Sequence, residues 1–128
     1  MSHDSGALAS ALACLDAYLD GLNRGDEAAT NAACHFPHVR LAGGTVAVWQ
    51  NSGDYKLADF RARAGDGWHH STWDERTPIH VGENKVHLKV KFSRWRKDGS
   101  LIGAFETIYI VTRLGGRWGI QAHSSFAS

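Results

Sequence analysis

Three ionisable side chains in the second half of the chain have the types and surroundings that acid–base chemistry requires. His69 and Glu75 delimit the stretch "HHSTWDE", and Glu106 interrupts the apolar run "AFETIYI". Burial raises the pKa of a carboxyl group towards that of a general base, and an unperturbed imidazole already titrates near neutral pH. Each group can act only if its strand turns it towards a pocket. The faces of the strands therefore decide which of the three is a candidate.

The spacing of apolar residues predicts helices in the first half of the chain and strands in the second. Leucines recur at steps of four and three from Leu8 to Leu22, which places them on one side of a helix that Gly25 ends. Gly43 and Gly44 join two short strands into a hairpin, and helical spacing returns after it. Four further strands are predicted at Trp68–Val81, Lys85–Arg96, Leu101–Leu114 and Arg117–Phe126. Helices followed by antiparallel strands indicate an α+β fold.

Two glycine turns predict the register of the last three strands. Asp98-Gly99, as a two-residue turn, places four opposed pairs on one apolar face: Phe92–Phe105, Val90–Thr107, Leu88–Tyr109 and Val86–Val111. Gly115-Gly116, as the next turn, continues this face through Ile120, Ala122 and Ser124. The other face then carries the pair Lys91–Glu106 with Ile108, Ile110 and His123. Glu106 is therefore predicted to form a cross-strand ion pair outside the pocket, unless a β-bulge reverses the strand.

The apolar face supplies the candidate pocket residues. They are Arg94, Thr107, Tyr109 and Ser124, with His69, Ser71, Trp73 and Glu75 from the preceding strand and Tyr18 from the first helix. Glu75 is either a base of raised pKa or a side chain that a bulge turns outward. His69 is either an acid–base group or an exposed histidine at a strand end. Arg94 binds a carboxylate or lies at the rim of the sheet, and Tyr109 is either a donor to a ligand or a core tyrosine.

The first hairpin and the outer sheet face offer two further surfaces. In the hairpin, His38, Arg40 and Trp49 share one face, as a pocket mouth or as a surface patch. The outer sheet face mixes Ile108 and Ile110 with polar groups that include His123, and such a mixture is typical of a partner surface. We therefore expect a homodimer through this face.

Composition limits the remaining classes of partner. The formal net charge is +1 without a basic block, so nucleic-acid binding is not predicted. No apolar run approaches ~18 residues, so no membrane span is predicted. Cys14 and Cys34 are expected to be free thiols in the cytoplasm. The histidines have no recognised metal-ligand spacing and there is no phosphate-binding glycine loop, so no metal or cofactor is predicted.

The order of elements and the ending "DGSLIGAFETIYIVTRLGGRWGIQAHSSF" resemble the nuclear transport factor 2-like superfamily, with its cystatin-like and SnoaL-like members. Its members often finish with a hairpin of the form "G.W.I...S". The matching residues in this chain are Gly116, Trp118, Ile120 and Ser124 or Ser125. "HFPHVRLAGG" and "GWHHSTWDE" are similar to small, uncharacterised bacterial members. The resemblance implies one domain over residues 1–128, in which a bent antiparallel sheet forms a cone around the N-terminal helices. It also implies a pocket inside the cone and dimers through the outer sheet face.

The same resemblance leaves the function open, because the fold carries several activities. Ketosteroid isomerase-like members have an aspartate base on the first strand, where this chain reads "HVRLAGG" without a carboxylate. Scytalone dehydratase-like members use histidines with an aspartate and tyrosines in the cone, and the eight histidines here permit a similar arrangement. The chain is either a cofactor-free isomerase, dehydratase or cyclase for a small, mostly apolar molecule, or a non-catalytic binding or accessory homodimer. In the first case Glu75 or His69 is the base and Tyr109 or Arg94 its partner. A third possibility is a purely interacting dimer in which the side chains of the protein itself fill the cone.

Overall fold

A computed structural model describes residues 3–127 of the chain and the side chains of residues 6–127. Its elements are α1 (His3–Arg24), α2 (Glu27–Ala32), β1 (Cys34–Ala42), β2 (Thr45–Trp49), α3 (Leu57–Arg63), β3 (Trp68–Val81), β4 (Lys85–Arg96), β5 (Leu101–Leu114) and β6 (Arg117–Ser125). The six strands form one sheet in the order β2-β1-β6-β5-β4-β3. The predicted α+β fold, with a curved sheet and N-terminal helices, is confirmed. The predicted bounds of β3, β4 and β5 agree with the structure.

Helix α1 lies against the sheet through its apolar side. Leu15, Tyr18 and Leu22 are buried in the core, and α1 contacts β3 and β6. Gly25 ends the helix as predicted, because its φ of 69° suits a residue without a side chain. Asp26 then begins α2 by accepting a hydrogen bond from the backbone N–H of Ala29. None of the described helices is long and apolar enough to cross a membrane.

The hairpin of β1 and β2 has its polar face inside. The predicted turn at Gly43 and Gly44 is confirmed, because Ala42 pairs with Thr45. His38 and Arg40 are buried, whereas the apolar side chains of the opposite face, Leu41, Val46 and Val48, are exposed. Strand β1 also pairs with β6 in parallel. The hairpin therefore brings polar side chains into the cone, opposite to the usual distribution.

The register of β4 and β5 is confirmed at all four predicted apolar pairs, from Phe92–Phe105 to Val86–Val111. These pairs form the inner face, where Val86, Leu88 and Val90 are fully buried. Lys91 opposes Glu106 on the outer face, as predicted, and their charged atoms lie 4.0 Å apart. Both side chains are about half exposed, so this pair contributes little to stability.

Strand β6 departs from the predicted register after Ile120. Val111 pairs with Ile120 as expected, but Ile110 pairs with Ala122, so Gln121 is an extra residue in β6. A β-bulge of this kind moves every later side chain to the other face. His123 and Ser125 are consequently buried inside, and Ser124 is exposed. The predicted faces of His123 and Ser124 were therefore wrong.

Strand β3 carries three further irregularities against β4, at His69, Asp74 and Ile79. Trp73 pairs with Phe92 and keeps its predicted inner face, but Glu75 pairs with Lys91 and lies outside. Bulges at these points bend the edge of the sheet. The sequence indicated this alternative for Glu75, and the structure selects it.

The close packing of β1 against β6 predicts that Gly119→Ala destabilises the protein by about 2 kcal/mol. A Cβ atom at Gly119 lies 2.8 Å from Cδ2 of His35 and 3.0 Å from the backbone carbon of Cys34. The His35 ring cannot easily move, because its Nε2 hydrogen-bonds to the carbonyl oxygen of Arg117 at 2.8 Å. Urea unfolding followed by tryptophan fluorescence measures the loss.

Gly44→Ala is the matched control, because a Cβ atom there meets nothing within 4 Å. We expect it to change the free energy of unfolding by less than about 0.5 kcal/mol. Equal effects of the two substitutions contradict the packing described for Gly119.

Candidate functional site

A narrow pocket lies between α1 and the inner face of the sheet. It is lined by Tyr18, Leu19, Leu22, Arg40, Tyr55, Phe60, Arg63, Ser71, Trp73, Phe92, Arg94, Tyr109, His123 and Ser125. The space in which the centre of a water molecule can lie measures about 30 Å³, which is room for roughly two waters. The pocket thus combines aromatic walls with a small number of strong hydrogen-bonding groups.

Three tyrosines form one wall of the pocket. The hydroxyl oxygens of Tyr18 and Tyr55 lie 2.8 Å apart, and Nη2 of Arg63 donates to the Tyr55 hydroxyl at 3.1 Å. The ring of Tyr109 packs edge-on against Tyr18, with centroids 6.3 Å apart. Burial is the main cause that raises the pKa of both Tyr18 and Tyr109. Both hydroxyls therefore stay protonated at neutral pH and can donate hydrogen bonds.

Three arginines concentrate positive charge in the pocket. Arg40 and Arg94 are buried, while Arg63 on α3 is partly exposed. Burial first, and then repulsion from Arg63, lower the pKa of Arg40 and of Arg94. Arg40 donates to the carbonyl oxygen of Ala127 at 3.2 Å, and Arg94 lies over the rings of Phe60, Phe92 and Phe105. No carboxylate side chain lines this pocket among the described residues.

Two N–H groups of the pocket lack an acceptor. Nε of Arg63 and Nε1 of Trp73 are buried and have no hydrogen-bond partner within the described part of the chain. Most buried donors in proteins are paired, so an unpaired one calls for an explanation. A ligand that carries acceptor oxygens provides one.

Two histidines adjoin the wall formed by β1 and β6. Nδ1 of His38 hydrogen-bonds to the carbonyl oxygen of Ile120 at 3.0 Å, and its Nε2 lies 2.9 Å from Nδ1 of His123. Burial lowers the pKa of His38 to about 4 and outweighs the hydrogen bond to Ile120. Burial first, then His38 and the nearby Arg40, lower the pKa of His123 well below its usual value. Both rings are neutral at pH 7.

Six of the residues predicted for the pocket or its mouth line the pocket, namely Tyr18, Arg40, Ser71, Trp73, Arg94 and Tyr109. Two other predicted site residues, His38 and Thr107, are buried next to residues that line the pocket. His38 hydrogen-bonds to His123, and the hydroxyl oxygen of Thr107 lies 2.7 Å from that of Ser125. Arg94 is not at the rim of the sheet, because it is only 4% exposed.

Three predicted site residues lie outside the pocket. Glu75 forms an ion pair with Lys91 at 3.7 Å on the outer face. His69 is exposed, with its Nδ1 3.0 Å from that of His70. Ser124 is exposed, and Ser125 lines the pocket in the place that was predicted for Ser124. Each correction follows from a bulge in β3 or β6, because one extra residue reverses the face of those that follow.

Sequence reasoning missed three groups of the pocket. Arg63 follows Phe60 by three residues on α3, and this helical spacing could have placed both on one face. Tyr55 lies in a loop, where no periodicity indicates its direction. His123 was placed on the wrong face, because nothing in the sequence around Gln121 marks the bulge. Within the described residues, no group of three or more His, Cys, Asp or Glu side chains could hold a metal ion.

Comparison with known proteins identifies the relatives of this chain. Residues 9–125 match the model of a family described as NTF2-like protein (DUF6841). A search of curated proteins found no match.

Solved structures share the fold at low sequence identity. One is a protein of unknown function with a cystatin-like fold from Nostoc punctiforme, 10% identical, with a TM-score of 0.73 over 93% of this chain and 89% of that one. Another is an NTF2-like protein from Novosphingobium aromaticivorans, 13% identical, with a TM-score of 0.73 over 97% and 81% of the two chains. A third is a ketosteroid isomerase-like protein from Erwinia carotovora, 19% identical, with a TM-score of 0.64 over 94% and 95%. These likenesses show the fold.

The neutral state of His38 predicts that acid weakens the fold. The unfolded chain binds a proton at this residue near pH 6.5, whereas the folded chain takes it up only near pH 4. Between these values the unfolded state holds more protons, so the free energy of unfolding falls as the pH falls, by about 3 kcal/mol for this group. We expect urea unfolding at pH 7 and at pH 4 to show a smaller loss for His38→Gln than for the wild type. His70→Gln is the control, and an equal loss in all three proteins contradicts a neutral His38.

Proposed function

The chain belongs to the NTF2-like family DUF6841, and we propose that its pocket binds a small organic anion. One observation carries this proposal. Arg40 and Arg63 line the pocket, and two of its N–H groups, Nε of Arg63 and Nε1 of Trp73, have no acceptor among the described residues. Most buried donors in proteins are paired, so these two call for an acceptor.

The pocket suits a carboxylate attached to a flat, apolar body. A guanidinium group binds a carboxylate through two parallel hydrogen bonds, and Arg63 retains an unpaired Nε for this purpose. The aromatic walls of Trp73, Phe92 and Tyr109 favour a flat molecule. The protonated hydroxyls of Tyr18 and Tyr109 can add neutral donors.

Entry of a ligand requires one side chain to move. The free space of about 30 Å³ is smaller than a benzoate ion and suits an acid of two or three carbons. Arg63 is the one arginine of the three that is not buried, and it lies on the short helix α3. A shift of its side chain that keeps the guanidinium group at the ligand is therefore the simplest way to widen the pocket. If Arg63 stays in place, the side chains of the protein itself fill the cone, as in the interacting dimer that was the third possibility from the sequence.

We expect acetate or benzoate to bind in the pocket, and Arg63→Gln to weaken this binding about 10-fold or more. A hydrogen bond to a charged partner is worth about 1.5–3 kcal/mol, which corresponds to this change. The measurement is an NMR titration that follows the indole signal of Trp73 and the backbone signals of β5.

Arg61→Gln is the matched control, because Arg61 lies on the same helix but is exposed. The Arg61→Gln variant should bind the acids nearly as tightly as the wild type does. A small loss of affinity is expected, because the variant has one positive charge fewer. The proposal fails if neither acid shifts the pocket signals, or if the two substitutions weaken binding equally.

The pocket also bears on the choice between an enzyme and a binding protein. Glu75 and His69, the bases expected from the sequence, are on the outer surface. An acid–base enzyme would therefore depend on His123, which lines the pocket in the neutral state. Binding requires less of the site than catalysis does, so we propose a ligand-binding protein and keep an isomerase or lyase as the second candidate.

We also propose a homodimer through the outer sheet face, without the predicted participation of His123, which is buried. Ile108 is 43% exposed and Phe126 85% exposed, and both line a groove that Lys89 and Glu106 border. A two-fold axis at this groove can pair the lysine of one copy with the glutamate of the other. Burial of Ile108 and Phe126 would add to the stability of such a dimer.

Ile108→Lys should therefore shift the mass measured by light scattering from dimer to monomer, because it adds an unpaired charge at the groove. Val46→Lys is the control, since Val46 is 65% exposed on β2 at the other end of the sheet. A wild type that is monomeric at all concentrations contradicts the dimer.

The two cysteines support a cytoplasmic location, which we propose as well. Cys14 and Cys34 are free thiols, as is usual where the surroundings are reducing. Burial raises the pKa of Cys34 to about 12 and also raises that of Cys14. Neither thiol is therefore suited to act as a nucleophile.

A further inference from the structure

We propose that His123 presents a bare Nε2 atom to the pocket and so selects ligands that carry a hydroxyl or N–H group beside their anionic group. This inference rests on the proposed function and makes the ligand class narrower. The arginine and tryptophan side chains of the pocket can only donate hydrogen bonds. An acceptor among them recognises a part of the ligand that those side chains cannot.

The hydrogen bonds of the two histidines determine where their protons lie. The carbonyl oxygen of Ile120 can only accept, so Nδ1 of His38 carries the proton of their 3.0 Å hydrogen bond. A neutral His38 then has a bare Nε2, which accepts from Nδ1 of His123 across 2.9 Å. A neutral His123 that donates from Nδ1 is left with a bare Nε2. No described residue donates a hydrogen bond to that atom.

The surroundings keep both rings neutral, which the argument requires. His38 is completely buried and packs against the ring of Trp49, with centroids 5.5 Å apart. His123 faces Tyr109 on β5 at 5.4 Å, and the charged groups that act on it are Arg40 on β1 and Arg63 on α3. Both are cations and oppose a further positive charge. No carboxylate side chain lines the same pocket among the described residues.

The position of His123 in the pocket determines where a ligand must carry a hydroxyl group relative to its anionic group. Because His123 lines the same pocket as Arg40 and Arg63, a ligand held by its anionic group can place a neighbouring hydroxyl at Nε2. A ligand without that hydroxyl leaves Nε2 of His123 without a donor, which costs affinity. Hydroxy acids should therefore bind more tightly than the same acids without a hydroxyl.

The first test is made on the ligand-free protein and does not depend on the proposed function. A ¹H–¹⁵N spectrum that correlates ring nitrogens with ring protons at pH 7 reports which nitrogen of each histidine is protonated. We expect both His38 and His123 to be protonated at Nδ1 only, with His38→Gln and His123→Gln to assign their signals. Protonation of Nε2 of His123, or of both nitrogens of either ring, overturns the inference.

The second test compares acids that differ by one hydroxyl group. The probes are acetate with glycolate, and benzoate with its three hydroxylated isomers. In at least one pair the hydroxylated acid should bind the wild type about 10-fold more tightly. His38→Phe should abolish this preference, because His123 loses the acceptor that fixes its proton. His38→Gln should keep most of it, because the amide oxygen can accept from Nδ1 of His123 in place of the ring nitrogen.

The outcomes separate the two proposals. If none of the acids binds, the proposed function fails, and the NMR spectrum alone decides the state of His123. If the acids bind without preference for the hydroxylated member, the anion site stands and the role of His123 is wrong. His70→Gln, on a histidine outside the pocket, should leave the preference unchanged. Unfolding curves of both His38 variants show whether a loss of binding reflects a loss of folded protein.

Discussion

The extra residue at Gln121 in β6 is the constraint on which the composition of the pocket depends. Before it, β6 follows the register that the turn at Gly115 and Gly116 imposes; after it, every side chain is on the opposite face. Gln121 itself is held between two strands, because it accepts from the hydroxyl of Thr112 on β5 and donates to the carbonyl oxygen of Pro37 on β1. The bulge is thereby fixed on both sides. His123 reaches His38 only as a result of it.

The bulges also separate the charges of the molecule. Glu75 and Glu106 lie on the outer face, where both approach Lys91. Arg94 lies inside, over aromatic rings that offset part of the cost of its burial. A carboxylate side chain turned inward at position 75 would add a negative charge to the side of the sheet that carries Arg40. The outward turn of Glu75 keeps this charge away from the pocket.

The sequence allowed the helices, the strands and one complete register to be predicted, because each depends on local signals. The apolar face of β4 and β5 follows from a single turn at Asp98-Gly99, and the pairing stays regular from Lys85 to Arg94. The same argument failed at Ser124 and at Glu75, because an extra residue lies between each of them and the turn from which the register was counted. Parity along a strand gives the correct face only up to the first bulge, and neither Gln121 nor Ile79 differs from an ordinary strand residue. Tyr55 could not be placed, because only its contacts with distant residues hold it in the pocket wall.

The inverted hairpin of β1 and β2 is the strongest reason to connect this pocket with a function. Leu41 and Val46 are exposed at 45% and 65%, while His38 and Arg40 are buried on the opposite face. The buried polar groups are satisfied through hydrogen bonds to the backbone at Ile120 and Ala127. Well-packed apolar residues of similar volume are often at least as stabilising as buried charged groups, so stability alone does not account for this arrangement. The fold instead keeps a basic, hydrogen-bonding surface inside its cone at the expense of an apolar one, as expected where a site trades stability for binding.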